Sequence, residues 1–123
     1  MRIHDLKPWR LIRRCTDFPP ESAVAMGIRL VLLDLDNTLE PPGARVPSPE
    51  TIAWVRALEA AGCRCVLLSN ARRDRARSYA DALGIPAVLD AGKPGLRGVR
   101  RALDLAAATP DETLLFGDQV FTD

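Results

Sequence analysis

The chain predicts an α/β domain built as a doubly wound parallel sheet. Three observations carry this. Short aliphatic runs alternate with helix-period segments from Leu30 onwards, four such runs each lead into polar residues, and no repeat or low-complexity stretch interrupts the alternation. A length of 123 residues, 47% hydrophobic and 27% charged, suits one globular domain and excludes a disordered or membrane-embedded chain. Aromatics make up only 5%, so an aliphatic core is expected.

The first strand is Leu30-Val31-Leu32-Leu33, apolar without alternation as a central strand covered on both faces requires, and it stops at Asp34. A helix follows from about Pro49. Ser48 is its expected N-cap, Pro49 suits the first turn, Ile52, Val55 and Leu58 share a face, and Gly62 ends it. The second strand, Cys65-Val66-Leu67-Leu68, closes on Ser69-Asn70. The next helix, Asp74 to Leu83, buries Ala76, Tyr79, Ala80 and Leu83 and stops at Gly84. The third strand runs from Ile85 to Leu89, and Pro86 predicts a sheet edge because proline cannot donate to a ladder. A third helix, Pro94 to Ala107, aligns Leu96, Val99 and Leu103, and the last strand, Thr113 to Phe116, leads into Gly117-Asp118. Four strands and three connecting helices predict a right-handed, Rossmann-like winding, with ligands beyond the carboxyl ends of the strands.

Charge and cysteine usage narrow the function classes. Seventeen basic and sixteen acidic residues leave a net charge of +1, so no global field draws the chain to nucleic acid, and no such partner is expected. Cys15, Cys63 and Cys65 are odd in number and form no CxxC pair, which suits reduced thiols; Cys63 and Cys65 are read as small buried apolar residues. No apolar run approaches the roughly 20 residues of a bilayer span, and the first residues lack the apolar stretch of a secretory signal, so a cytoplasmic location is expected. Arg2, Lys7, Arg10, Arg13 and Arg14 stand against Asp5, with Trp9, Leu11 and Ile12 between them. Residues 1–27 are expected to pack on a core formed by residues 28–123, and a peripheral membrane contact is the alternative.

The polar residues fall after the strands: Asp34 and Asp36 after the first, Ser69 and Asn70 after the second, Lys93 after the third, Asp118 after the fourth. Two carboxylates at about 4 Å repel by about 4 kcal/mol at an effective dielectric of 20, so Asp34, Asp36, Asp118 and Asp123 converging at one sheet end need a cation. Oxygen ligands with substrate phosphate suit Mg²⁺. The Ser69 hydroxyl, the backbone N–H near Asn70 and the Lys93 ammonium form a donor set for a tetrahedral oxyanion. Of the 17 basic residues only Lys7 and Lys93 are lysines, which makes Lys93 a marked choice. A carboxylate nucleophile, a metal and this cradle point to phosphoryl transfer through an aspartyl-phosphate, with a second carboxylate as acid and then base.

The segments DLDNTL at Asp34 to Leu39, Ser69-Asn70, Lys93-Pro94 and GDQVFTD at Gly117 to Asp123 resemble, in order, the four motifs of the haloacid-dehalogenase-like phosphohydrolase superfamily. More narrowly they are similar to its cap-less subclass IIIA and the YqeG-like branch, which includes mitochondrial phosphatidylglycerophosphate phosphatases. The stretch with Pro20-Glu21 and Gly27-Ile28 is similar to that branch too. The resemblance implies that Asp34 is the nucleophile and a metal ligand, and that Asp36 is the acid/base, with its backbone carbonyl also on Mg²⁺. Asn37 and Thr38 then shape the loop, Thr38, Ser69 and Asn70 hold the phosphoryl group, Lys93 neutralises it, Asp118 ligates the metal and Asp123 supports it.

In this superfamily a cap domain is inserted after the first motif or before the motif lysine. Glu40 to Pro49 and Asp90 to Gly92 are too short for one, so the expected substrate is a bulky phosphomonoester such as a phospholipid headgroup. Arg72, Arg73, Arg75 and Arg77 follow the second motif, either meeting a polyanion or forming a solvated helix face. The last strand is expected at an open edge that a longer chain or an oligomer completes, with a helix and a final strand missing beyond Asp123. The competing expectation is a non-catalytic Mg²⁺- and phosphate-binding partner module, or an inactive fragment of a longer phosphatase.

Overall fold

The computed structural model describes residues 15–34, 46–69, 73–89 and 96–116. Four parallel strands form one sheet: β1 (Leu30–Asp34), β2 (Arg64–Ser69), β3 (Ala87–Leu89) and β4 (Thr113–Phe116), in the order β3-β2-β1-β4. The helices are α1 (Pro20–Ala25), α2 (Pro49–Ala60), α3 (Arg73–Leu83) and α4 (Leu96–Ala106).

β1 lies between β2 and β4, and its Leu30, Val31, Leu32 and Leu33 are fully buried. That explains an unbroken aliphatic run: each face of the strand meets helices, so alternation with polar residues would put polar groups in the core. Val31 and Leu33 join Cys65, Leu67, Leu114 and Phe116 in a layer under α1, α2 and α3, while Leu30, Leu32, Val66, Leu68 and Leu115 pack under α4. The chain winds from β1 through β2 to β3 on one side, then returns to place β4 on the other side of β1. A uniform crossover hand then requires α4 to cover the opposite face from α2 and α3, which is where it lies.

Local chemistry sets the helix limits. The Ser48 hydroxyl accepts from the Thr51 backbone N–H at 3.2 Å, and Pro49 occupies the first turn, where no N–H is needed. After α2, Gly62 takes φ +97°, a conformation that favours glycine. Ala76, Tyr79, Ala80 and Leu83 of α3 are all buried, as their spacing predicts.

Some boundaries differ from the sequence expectation. β3 begins at Ala87 rather than Ile85, because Pro86 has no N–H; its carbonyl instead accepts from the Leu67 N–H at 3.0 Å. The edge position that Pro86 predicts for β3 is observed. α3 starts one residue early, at Arg73, and α4 stops at Ala106 because Ala107 turns to φ +54°. The helix α1 was not anticipated. Its Ala23 is buried together with Phe18, which precedes it, on the α2 side of the sheet. Residues 1–14, with the amino-terminal basic cluster, and residues 117–123 lie outside the described residues, as does the side chain of Cys15.

Candidate active site

All four strands are parallel, so their carboxyl ends share one edge of the sheet: Asp34, Ser69, Leu89 and Phe116. The register aligns them. Asp34 is opposite Leu68, Ser69 is opposite Leu89, and Phe116 is opposite Leu33. From strand spacing and rise, the Cα atoms of Asp34 and Ser69 are about 6 Å apart. The strand order reverses between β1 and β4, and in open α/β sheets the crevice that takes ligands opens beyond the carboxyl ends at such a reversal. Asp34 closes β1 at that place.

Alternation along the strands separates the two polar side chains. Asp34 continues the row of Leu30 and Leu32, on the α4 side, and Ser69 continues the row of Cys65 and Leu67, on the α2 and α3 side. Asp34 is half-buried and Ser69 is 2% exposed. A buried hydroxyl ending a strand whose other buried residues are Cys, Val and Leu is a polar group set into the core's rim.

Of the predicted site residues, Asp34 and Ser69 are within the described segments. Asp36, Thr38, Asn70, Lys93, Asp118 and Asp123 lie outside them. Among the described residues no three His, Cys, Asp or Glu side chains come together as a metal cluster. The described carboxylate at this edge is Asp34, whereas Cys63 precedes β2 and Cys65 is near its amino end, at the far edge of the sheet. A carboxylate oxygen is a ligand that a hard cation such as Mg²⁺ accepts. Burial pushes the Cys63 thiol above its usual pKa, and the thiol donates to the Ile28 carbonyl at 3.4 Å, so it is an inert core group. A cavity of about 310 Å³ lined by Glu59, Cys63, Arg64, Pro86 and Leu105 also sits at that far edge, away from Asp34.

One feature of the site's surroundings escaped sequence reasoning. Phe18, Trp54 and Phe116 form a cluster at the carboxyl end of β4, with ring centroids 5.6 Å apart for Phe18–Phe116 and 5.7 Å for Trp54–Phe116, both edge-to-face. The Trp54 Nε1–H donates to the Phe18 carbonyl at 2.9 Å in a buried bond. The available signal was the scarcity of aromatics, which makes each one a specific choice.

Residues 42–123 match the haloacid dehalogenase-like hydrolase family, a segment that takes in Ser69, Asn70, Lys93, Asp118 and Asp123. The chain belongs to this hydrolase family. The second, third and fourth motif segments lie inside the matched residues, the first, Asp34 to Leu39, precedes them, and the observed fold agrees with the family. The chain is similar to a probable phosphatase, YqeG, of Bacillus subtilis (strain 168), 26% identical over 116 residues, covering 94% of this chain and 67% of the relative. Among solved structures it shares its fold with a putative 3-deoxy-D-manno-octulosonate 8-phosphate phosphatase from Vibrio cholerae, at TM-score 0.63 and 18% identity. It shares it also with a hypothetical protein from Xanthomonas campestris, at TM-score 0.64 and 20% identity. These alignments cover 80% and 85% of this chain, which spans 62% and 63% of the length of the two solved chains it matches. Among the described residues no helix is long and apolar enough to cross a membrane.

Proposed function

We propose that this chain is a Mg²⁺-dependent phosphomonoester phosphatase working through a phospho-Asp34 intermediate. The observation that carries the reading is the position of Asp34 at the carboxyl end of β1, where the strand order reverses, with Ser69 ending the neighbouring strand. Because the two side chains belong to opposite rows, a phosphoryl group that meets both sits over the sheet edge. The sequences that follow the same strand ends carry Asp36, Asn70, Lys93 and Asp118, and chain reach of roughly 3.5 Å per residue keeps Asp36 within about 7 Å of Asp34.

An Asp34 carboxylate oxygen attacks phosphorus, the bond from phosphorus to the alcohol oxygen breaks, and Asp36 gives that oxygen a proton. Asp36, now a carboxylate, takes a proton from water. The water oxygen attacks phospho-Asp34, releasing inorganic phosphate and restoring the Asp34 carboxylate. Ser69, the Asn70 backbone N–H and the Lys93 ammonium donate to the phosphoryl oxygens, and Thr38 shapes the loop beside them. Asp34, the Asp36 carbonyl, Asp118 and Asp123 would hold Mg²⁺, which supplies positive charge beside those oxygens when bound.

The connections 35–48 and 90–95 are shorter than the roughly 50 residues of even a small domain, so neither carries a cap. An uncapped edge admits a large leaving group, and the substrate class we assign is a bulky phosphomonoester, phosphatidylglycerophosphate among them. The likeness to the Bacillus subtilis relative supports phosphatase chemistry. Phosphate release from an aryl phosphate tests the reading: wild-type chain with Mg²⁺ should release phosphate, and both EDTA and Asp34→Asn should abolish release. Equal release by wild type and Asp34→Asn would refute it.

A further inference from the structure

We infer that Trp54 and Phe18 are positioning residues that act through Phe116 on the site's Mg²⁺ affinity. The inference rests on the proposed Mg²⁺ site and adds to it a support that no motif contains.

Apart from Tyr79 of α3, the other buried apolar residues on the α2 and α3 face are aliphatic side chains and cysteines. Aromatics are 5% of the chain, yet Phe18, Trp54 and Phe116 meet at one point, the carboxyl end of β4. Most of this face is filled by Leu, Ile, Val, Ala and Cys, and three of its four aromatic rings are gathered at this one place. Rings do something leucines do not. Phe18 and Trp54 each meet Phe116 edge-to-face, at interplanar angles of 64° and 72°, a geometry with its own attraction that restricts the orientation of the enclosed ring. The three residues are 0%, 6% and 5% exposed, so little space is left for the rings to reorient.

The clamp is itself anchored. The buried bond from Trp54 Nε1–H to the Phe18 carbonyl ties the segment before α1 to the first half of α2, 36 residues apart in sequence. Removing the indole N–H leaves a buried carbonyl without that partner, so the tie is strongly specified.

Phe116 is the last residue of β4, and Asp118 follows two residues later. Phe116 also pairs in register with Leu33, the residue before Asp34. Among the described residues, β4 has a strand neighbour on one side only, β1. The aromatic clamp therefore adds, from the α2 side, a hold on the end of the strand that leads to one proposed metal ligand and is level with the approach to another. Groups bonded directly to a metal ligand set its orientation and their loss costs about 10-fold to 100-fold in metal affinity, so a support that acts through the strand before the ligand is expected at the lower end, about 10-fold.

The test is the Mg²⁺-induced rise in unfolding temperature of the full chain, titrated for wild type, Trp54→Phe and Phe18→Leu, alongside the Mg²⁺ dependence of phosphate release. Trp54→Phe keeps a ring and deletes the hydrogen bond; Phe18→Leu keeps the bond to the backbone and deletes a ring contact. Val99→Ala, in α4 on the other face, is the control for lost stability alone. The expected result is that both variants need about 10-fold more Mg²⁺ than wild type for half the stabilisation and half the activity, with kcat at saturating Mg²⁺ within about twofold, while Val99→Ala needs no more than wild type. Variants that unfold earlier but respond to Mg²⁺ at wild-type concentrations would overturn the positioning role and leave the phosphatase reading standing. A wild-type chain indifferent to Mg²⁺ in both assays would overturn both.

Discussion

Asp34 and Ser69 end neighbouring parallel strands one register step apart, yet they belong to opposite faces of the sheet. Neither face alone presents both groups. The edge does, and for that reason an α/β sheet can keep two fully packed layers and still offer polar chemistry where its strands stop. If Ser69 donates to the phosphoryl oxygens there, Ser69→Ala should lower kcat by about 10²–10³, the usual loss for one oxyanion donor, with far-ultraviolet circular dichroism unchanged. A kcat within twofold of wild type would remove Ser69 from the site.

The N-cap of α2 offers a test of stability separated from chemistry. The Ser48 hydroxyl accepts from the Thr51 N–H and also donates to the Thr51 hydroxyl at 3.1 Å. Ser48→Ala should lower unfolding free energy by about 1 kcal/mol in urea titrations while kcat stays at the wild-type value.

Cys63 gives a pH dependence. Burial favours its neutral thiol, so the folded-state pKa lies above the ordinary 9.0. As pH rises past about 9 the unfolded chain loses this proton first, and the folded state is disfavoured. The contribution is intact below that pH and declines above it. Urea midpoints measured from pH 7 to 10 should therefore fall more steeply for wild type than for Cys63→Ala, and parallel slopes would show that the thiol does not contribute.

Much of this fold was legible in the residues because the signals were local. The unbroken run Leu30 to Leu33 announced a strand covered on both faces, Ser48-Pro49 a helix start, and Gly62 and Gly84 helix ends, where the backbone indeed takes positive φ. Pro86 announced an edge because one missing N–H is a sequence-local fact. α1 was not legible: PESAVA is too short for helical periodicity and buries Ala23 alone. The meeting of Phe18 with Trp54 and Phe116 was equally hidden, since it depends on which face of the sheet α1 and α2 share. At the site, the strand ends at Asp34 and Ser69 are where the motif spacing puts them, and the roles of Asp36, Lys93 and Asp118 remain proposals carried by sequence.

The central claim is that Asp34 carries the phosphoryl group. Wild-type chain mixed with Mg²⁺ and a phosphomonoester, quenched within one turnover and reduced with borohydride, should yield homoserine at position 34 by peptide mass spectrometry, because an acyl phosphate is reduced where a free carboxylate is not. Homoserine at Asp34 in wild type and its absence in Asp34→Asn is the predicted result; phosphate release with position 34 unmodified, or modification at another carboxylate, would contradict it.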